Sequence, residues 1–271
     1  AEASRNIISV GGQPLAMVDH CQFGDPNNSE VFWTFSEAVH GMADYCKALN
    51  LPCVGGKVSF YNEDTGTNTA IKPSPIVSVI GLIDKLSHIR TMELKEYGDI
   101  IIELGITKPE MGGSEYYEYI HNFTGGLVPK VNFITESKMQ TLTLELIKKG
   151  LVNSVNDCSK GGLAIALVEM SILGEKGINI DLNNVISECH RIDDVLFSES
   201  HSRMIISTNR NHVNKILDLA RNYDVPCSII GTVKNKDISI NMNKKEMISL
   251  TSSDISKVWS DVIPKCMGEV N

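Results

Sequence analysis

Residues 151–173 read LVNSVNDCSKGGLAIALVEMSIL and combine a short apolar run, a carboxylate, a glycine pair and a largely apolar segment. This pattern predicts a strand over 151–155 and a helix over 162–173. A strand that leads through a tight turn directly into a helix is typical of proteins with mixed α and β structure. The free N–H groups at the start of such a helix can bind an anion, and Asp157 could cap the helix or bind a metal.

The same turn has a simpler interpretation. Ser159 or Gly161 can cap the start of a helix with no ligand present, because these residue types are common at that position. Both interpretations stay open on the sequence alone.

Strands and helices alternate on both sides of this stretch, from about Tyr97 onward. The strands are predicted at 99–104, 178–182, 203–208 and 227–233, with a hairpin at 238–250 that turns near 243–244. The strand at 178–182 is expected at an edge or half-buried, since its apolar residues alternate. Helices are predicted at 114–120, 137–149, 213–222 and 253–263. The fold class is therefore α/β or α+β with mixed sheets.

The first part of the chain has its own apolar pattern. Asn28 or Ser29 can cap a helix whose apolar residues recur at three- and four-residue spacing as far as Leu49, and Pro52 stops it. Residues 75–84 predict a continuous buried strand in a sheet covered by helices. The polar run 85–96 separates the two parts, which predicts one domain at 1–96 and a second at 97–271.

Composition and charge exclude several classes of function. The chain has 271 residues and a formal net charge of −8, which argues against non-specific nucleic-acid binding. Apolar stretches such as 76–83 are too short to span a bilayer, and no signal peptide is seen at the start. We expect a cytoplasmic protein with no nucleic-acid or membrane partner. The first residue is Ala1 rather than Met, which fits trimming or a fragment.

The seven cysteines do not suggest a metal site or a disulfide framework. Their number is odd and none falls in a CxxC pair. We therefore expect most of them to be small buried residues in a reducing compartment.

Residues 14–26, PLAMVDHCQFGDP, form the first of three further segments with chemical potential. An apolar strand delivers Asp19 to a loop that contains Gly24 and Pro26. A carboxylate at the end of a buried strand can hold a metal or a ligand hydroxyl, and it can equally cap a turn.

Residues 54–64, VGGKVSFYNED, form the second segment. Paired glycines after a strand let the backbone approach a phosphate, Lys57 supplies a positive charge and Ser59 a hydroxyl. The spacing does not fit the GxxxxGK loop of P-loop proteins, and a glycine pair is also common in ordinary tight turns.

Residues 193–203, DDVLFSESHSR, form the third segment. Its polar run lies between an apolar segment and a strand. The run could present Glu199 and His201 to a ligand, or it could be a solvated loop. Taken alone, these segments predict a phosphate-handling protein and nothing narrower.

In their order along the chain, the segments resemble the phosphoribosylformylglycinamidine synthases, which are ligases of the aminoimidazole ribonucleotide synthetase-like superfamily. The matching stretches cover the chain from end to end: AEASRNIISVGGQPLAMVDHCQFGDP, LPCVGGKVSFYNE, PSPIVSVIGLI, GGSEYYE, LVNSVNDCSKGGLAIALVEM and LFSESHSR. Six matching stretches in one order are a much more specific signal than any single glycine pair.

The resemblance implies the later half of such an enzyme. Residues 1–96 would be an N-terminal-type α/β domain that is incomplete at its start, and residues 97–271 a complete C-terminal-type α+β domain. In the family the two halves pack as a pseudo-dimer, and the earlier half carries the catalytic histidine. No catalytic residue is therefore expected in this chain, and the chain alone should be inactive.

The resemblance also implies a reaction, cofactors and partners. Formylglycinamide ribonucleotide, ATP and ammonia would give formylglycinamidine ribonucleotide through an iminophosphate, in purine biosynthesis. ATP and Mg²⁺ would be the cofactors. The expected partners are the N-terminal half of the same enzyme and a glutaminase subunit that supplies ammonia, with a small bridging subunit as a further candidate.

The resemblance also implies roles for individual residues at the matching positions of this sequence. Asp19 and Gly56 resemble ATP contacts, and Ser59 resembles a substrate contact. Lys57 stands where the family has an asparagine that binds magnesium, and a lysine ammonium cannot coordinate a cation. Either the metal loses one ligand or Lys57 places its charge on a phosphate, so the metal ligands stay unknown.

A second, auxiliary pseudo-site is implied as well. Asp157, Glu199 and His201 resemble positions whose counterparts in the other half line the working site.

Two alternative functions remain, namely a catalytically silent nucleotide-binding or structural half and a sister ATP-dependent enzyme of the same superfamily.

Overall fold

The computed structural model describes residues 1–67 and 69–268. In chain order its helices and strands are α1 (Glu2–Ser9), β1 (Gln13–Gln22), α2 (Ser29–Leu49), β2 (Cys53–Ser59), β3 (Glu63–Asp64), β4 (Thr69–Ala70), β5 (Ser74–Leu82), β6 (Ile100–Leu104), α3 (Glu115–His121), α4 (Phe133–Lys148), β7 (Ser154–Asp157), α5 (Gly162–Gly174), β8 (Gly177–Asp181), α6 (Ile192–Phe197), β9 (Met204–Thr208), α7 (Val213–Asn222), β10 (Cys227–Lys234), β11 (Asp237–Met242), β12 (Lys245–Thr251) and α8 (Ser252–Cys266).

The first part of the chain forms a three-stranded sheet in the order β2-β1-β5. β1 runs parallel to β2 and antiparallel to β5. The helix α2 is the crossover that a parallel pair requires, since a tight hairpin joins only antiparallel strands. The short strands β3 and β4 pair with each other in the segment that leads from β2 to β5.

The helix α2 has the bounds that its pattern predicts. The Asn28 side chain accepts hydrogen bonds from the N–H groups of Glu30 and Val31 at 2.9 and 3.4 Å. The helix ends before Asn50, which is left-handed with a φ of 53°. Its inner side packs on the sheet, where Tyr45 is buried with Met17.

The other face of the three-stranded sheet is open, which corrects the expectation for β5. Ile76, Ile80 and Leu82 are 49%, 55% and 60% exposed. Successive side chains of a strand point to opposite faces, and Val79 points to the α2 side, where it packs against the core. Because Ile76, Ile80 and Leu82 are exposed, the prediction of a continuous buried strand in a sheet covered by helices is wrong for β5.

The second part forms a seven-stranded sheet in the order β12-β11-β8-β10-β6-β9-β7. Its strand pairs are antiparallel except for β8 and β11. β8 lies inside the sheet and is half-buried, because Ile178 and Ile180 are fully buried while Asn179 is exposed. The mixed α/β architecture confirms the predicted fold class, and residue 96 stays our proposed domain boundary.

Helices cover both faces of this second sheet. Ile101 and Ile205 belong to the core under α5 and α6, and Ile102 and Ile206 belong to the core under α4 and α7. This alternation along β6 and β9 follows from the two-residue period of a strand. Over residues 1–67 and 69–268, no helix is both long and apolar enough to span a bilayer.

Three local features refine the predicted elements. α4 begins at Phe133 rather than Ser137, because the side chain of Asn132 accepts hydrogen bonds from the next turn. The hairpin turn at 243–244 is confirmed, with positive φ angles of 52° and 62°. The glycine pair at 55–56 lies inside β2 rather than in a turn after it.

The cysteines are less buried than predicted. All seven are free; Cys21 and Cys158 are buried, while Cys53 and Cys266 are exposed. The remaining three are intermediate.

A buried arginine joins the two parts of the chain. Arg5 on α1 is 1% exposed, and its Nε donates to Asp157 Oδ1 at 2.6 Å. Its Nη1 donates to Glu136 Oε1 at 3.1 Å. Glu136 also accepts hydrogen bonds from Ser202 and Gln140. Burial alone raises the pKa of Glu136, but Arg5 and these two hydrogen bonds outweigh it and hold the pKa below its usual value.

We predict that Arg5→Met lowers the free energy of unfolding by about 3–5 kcal/mol, because it leaves two buried carboxylates without a counter-ion. Urea unfolding followed by circular dichroism measures this loss. The matched control is Arg221→Met, which removes an exposed pair with Asp218 and should change stability by less than about 1 kcal/mol. Equal losses in the two variants would contradict the role assigned to Arg5.

Candidate functional site

The register between β1 and β2 fixes which predicted site residues meet. Asp19 lies opposite Gly56, and His20 lies opposite Lys57. Since neighbouring side chains of a strand alternate, Asp19 faces the α2 side of the sheet and His20 faces the open side. The two predicted ATP contacts are therefore neighbours, and Lys57 belongs to the opposite face.

Asp19 lies half-buried above an exposed glycine. A Cβ at Gly56 would be 2.4 Å from Asp19 Oδ1, so any side chain there would displace the carboxylate. The Cys21 thiol donates to Asp19 Oδ2 at 3.3 Å, and the Cys53 thiol lies 3.5 Å from Oδ1. Burial and the hydrogen bond to Asp19 raise the pKa of Cys21 to about 11, so this thiol stays protonated at neutral pH.

The open face carries the other part of the site. His20 Nε2 and Ser59 Oγ form a hydrogen bond of 3.1 Å. Both side chains are partly buried, whereas Lys57 is exposed. Sequence reasoning singled out Ser59 and Lys57 but not His20, because only the strand register shows that His20 reaches Ser59.

The loops after β1 and β2 are held together by a polar clamp. Asn62 Nδ2 donates to the carbonyl oxygens of Phe23 and Ser59 at 3.2 and 2.8 Å. The N–H of Asp25 donates to Glu63 Oε1 at 2.7 Å. The segments 14–26 and 54–64, which the sequence presents separately, are thus one structural unit.

An aromatic cluster anchors this unit to α2. Phe35 makes edge-to-face contacts with Phe23 and Phe60, at centroid distances of 5.3 and 5.1 Å. Such contacts favour a fixed geometry. The ends of both strands are therefore held on the helix that covers them.

The residues predicted for an auxiliary site lie at the second sheet. Asp157 is 5% exposed and binds Arg5 through one oxygen, while its Oδ2 is buried without a hydrogen-bond partner in the described part of the chain. Burial raises the pKa of Asp157 despite the nearby guanidinium. Burial and Arg5 together lower the pKa of His201 to about 4, so this imidazole is neutral at pH 7.

Glu199 occupies the anion-binding position that the sequence suggested for the start of α5. Its Oε1 accepts hydrogen bonds from the N–H groups of Gly161 and Glu115 at 2.9 and 3.0 Å. The protein's own carboxylate therefore satisfies these donors. The assignment of Asp157, Glu199 and His201 to an auxiliary site stays a prediction.

The described residues do not form a protein-only metal centre. Over 1–67 and 69–268, no group of three or more His, Cys, Asp or Glu side chains is arranged to hold a metal ion. Lys57 repels a cation where an asparagine could bind one. Within these ranges the chain therefore offers no complete set of side-chain ligands for a magnesium ion.

Comparison with known families gives matches to both parts of the chain. The model for the C-terminal domain of AIR synthase related proteins matches residues 96–242, and the model for their N-terminal domain matches residues 1–83. Among solved structures, Thermotoga maritima PurL complexed with ATP has a TM-score of 0.74 at 18% identity, over 93% of this chain and 39% of that chain. Escherichia coli HypE, a hydrogenase maturation protein, has a TM-score of 0.69 at 17% identity, over 90% of this chain and 75% of that chain. Both show the fold.

Curated relatives are more similar in sequence. Phosphoribosylformylglycinamidine synthase subunit PurL of Caldanaerobacter subterraneus subsp. tengcongensis is 40% identical over 96% of this chain and 34% of its own length. The subunit of the same name from Methanocaldococcus jannaschii is 39% identical over 100% of this chain and 37% of its own length. The chain thus spans about a third of the length of these relatives.

These relatives confirm the resemblance seen in the sequence, and the first family model covers more than half of the chain. The chain belongs to the AIR synthase related protein family.

Proposed function

We propose that this chain is the later part of an ATP-dependent ligase that converts formylglycinamide ribonucleotide and ammonia to formylglycinamidine ribonucleotide in purine biosynthesis. The observation that carries the proposal is 40% identity, over nearly the whole chain, to a relative named phosphoribosylformylglycinamidine synthase subunit PurL. Solved structures with the same fold support it, since they include Thermotoga maritima PurL complexed with ATP and with FGAR.

The reaction needs the substrate amide to be activated. An amide carbonyl is a poor electrophile, so transfer of the γ-phosphoryl group of ATP to its oxygen creates a good leaving group. Ammonia then displaces phosphate from the resulting iminophosphate. Positioning of the phosphates and stabilisation of their charge make up most of the catalysis in such a transfer.

Asp19 and Gly56 contribute an ATP contact in this proposal. The bare backbone of Gly56 allows a ligand to approach β2, and the adjacent Asp19 carboxylate accepts a hydrogen bond from the Cys21 thiol. A carboxylate fixed in this way can accept hydrogen bonds from ligand hydroxyl or amino groups. Ser59, on the opposite face, supplies a substrate contact.

Mg²⁺ belongs to the proposed enzyme as a companion of ATP and not as an ion bound by this chain. Magnesium usually keeps several waters and binds through one or two carboxylates plus substrate phosphates. Lys57 offers no ligand, so we assign it a direct charge interaction with a phosphate. Magnesium ligands would come from the remaining part of the enzyme.

The first proposed partner, the rest of the enzyme, follows from the length of the relatives, of which this chain spans about a third. The remaining two thirds of the enzyme would cover the open face of the first sheet and supply the catalytic histidine, so the isolated chain is inactive. A glutaminase subunit would supply ammonia, and a small bridging subunit is a further candidate. One neighbouring structure is described as PurLQS from Thermotoga maritima. We assign the assembly to the cytoplasm.

We predict that Gly56→Ala weakens ATP binding by about ten- to a hundredfold, because its Cβ pushes the Asp19 carboxylate out of position. Calorimetric titration of the chain with ATP, with and without Mg²⁺, measures the affinity. The matched control is Gly55→Ala in the same strand, whose Cβ would lie in ordinary van der Waals contact with Val18 Cγ1 at 3.8 Å. Equal affinities of the two variants would remove Gly56 and Asp19 from the nucleotide site.

We also predict that the chain supports ligase activity in a chimera in which it replaces the matching third of the Caldanaerobacter relative. The assay measures ADP formed from ATP with formylglycinamide ribonucleotide and ammonium chloride. Asp19→Ala should reduce the rate about tenfold or more through the lost hydrogen bonds to a charged group. Asp44→Ala, at an exposed position of α2, should leave it unchanged. A folded chimera without activity would refute the proposed reaction.

A further inference from the structure

The open face of the three-stranded sheet carries no carboxylate of its own strands. Residues 13–22, 53–59 and 74–82 contain one acidic residue, Asp19, and the strand register turns it toward α2. The chain as a whole has 33 acidic residues and a net charge of −8. Although the protein as a whole is acidic, the strands therefore contribute positive charge and no negative charge to this face.

Lys57 is the source of that positive charge. Its side chain is exposed, and among the residues that the structure describes it forms no ion pair. His20 lies directly across from it in the register of the parallel strands. On the other side of His20, β5 contributes the apolar residue Ile76.

Ser59 is hydrogen-bonded through both its side chain and its backbone. His20 Nε2 lies 3.1 Å from its hydroxyl oxygen, and Asn62 holds its carbonyl oxygen at 2.8 Å. The backbone and the side chain of Ser59 are thus restrained by two different residues. A hydroxyl restrained in this way pays little entropy when it binds a ligand, which favours affinity.

We propose that His20 is a positioning residue that turns the Ser59 hydroxyl into a donor for a phosphate group, which Lys57 binds alongside it. A histidine that donates its Nε2–H occupies a lone pair of the serine oxygen. The serine O–H is then free to donate outward. A hydroxyl donor beside an ammonium group is suited to a phosphate oxygen, because charge-assisted hydrogen bonds are the strong ones.

This inference rests on the proposed function for the identity of the phosphate, which would be the 5′-phosphate of the ribonucleotide substrate. The γ-phosphate of ATP has the same chemistry. The two sources can be separated, since Asp19 and Gly56 lie on the opposite face of the sheet from His20 and Ser59. If Asp19 and Gly56 prove not to bind ATP, the effect of His20 and Ser59 variants on ribose 5-phosphate binding can still be interpreted.

The test is a titration of the complete 271-residue chain with ribose 5-phosphate, followed by two-dimensional NMR, with ribose as the uncharged control ligand. His20→Ala and Ser59→Ala should each weaken ribose 5-phosphate binding about tenfold, as expected for a hydrogen bond to a charged group. The double variant should bind no more weakly than Ser59→Ala, because His20 acts only through Ser59. His20→Gln keeps a side-chain N–H donor and should stay within about threefold of the wild type.

Several results would overturn the inference. These are unchanged binding in His20→Ala, additive losses in the double variant, failure of His20→Gln to restore affinity, and equal binding of ribose and ribose 5-phosphate. His40→Ala, at an exposed position of α2, is the matched control and should bind like the wild type. If His20→Ala does not fold, His20→Leu, which also lacks an N–H donor but keeps more of the side-chain volume, gives the same comparison with and without Ser59→Ala.

A parallel titration with ATP identifies the source of the phosphate. Unchanged ATP affinity in His20→Ala supports the ribonucleotide phosphate as the ligand of this face. An equal loss for ATP and ribose 5-phosphate would overturn the ribonucleotide assignment and leave a phosphate site that serves the nucleotide.

Discussion

The buried guanidinium of Arg5 is the interaction on which the arrangement of the two sheets depends. Its helix belongs to the first sheet, and its partners Asp157 and Glu136 belong to the second. Removing a charge from water is costly unless opposite charges and hydrogen bonds surround it. The Arg5 guanidinium must therefore stay next to its two carboxylate partners. These contacts therefore hold α1 in place against the second sheet. Because β1 follows α1 after a short turn, the strand that carries Asp19 is positioned by the same contact.

The register of β1 against β2 determines which site residues point to each face of the first sheet. A slip by one residue would turn every side chain of a strand to the other face. Asp19 would then point to the open side, and His20 would point into α2. The buried position of Met17 under α2 opposes such a slip, because it would expose an apolar side chain. The Asn62 clamp opposes it as well, since it joins the ends of the two strands through their backbone oxygens.

Apolar periodicity and capping residues predicted most of the helices and strands. Contacts between residues far apart in the chain could not be predicted from such local patterns. The helix bounds of α2 and α7 and the turn at 243–244 follow from local patterns, which one stretch of chain contains in full. The alternation of Ile178 and Ile180 is also local, but their interior place in the sheet depends on β10 and β11. In the same way the motif resemblance drew attention to Ser59, while its partner His20 emerges only from strand pairing. Asp157 shows the limit of motif reading, since its partner Arg5 is 152 residues away.

The open face of the first sheet links stability to ligand binding. Exposed residues such as Ile76 and Ile80 give it the apolar character of a surface that another protein segment covers. In the proposed enzyme the rest of the chain would bury this face and Lys57 with it. A buried ammonium needs an opposite charge, and the three strands offer none on that side. A bound phosphate would supply that charge, so association with the rest of the enzyme and phosphate binding should strengthen each other.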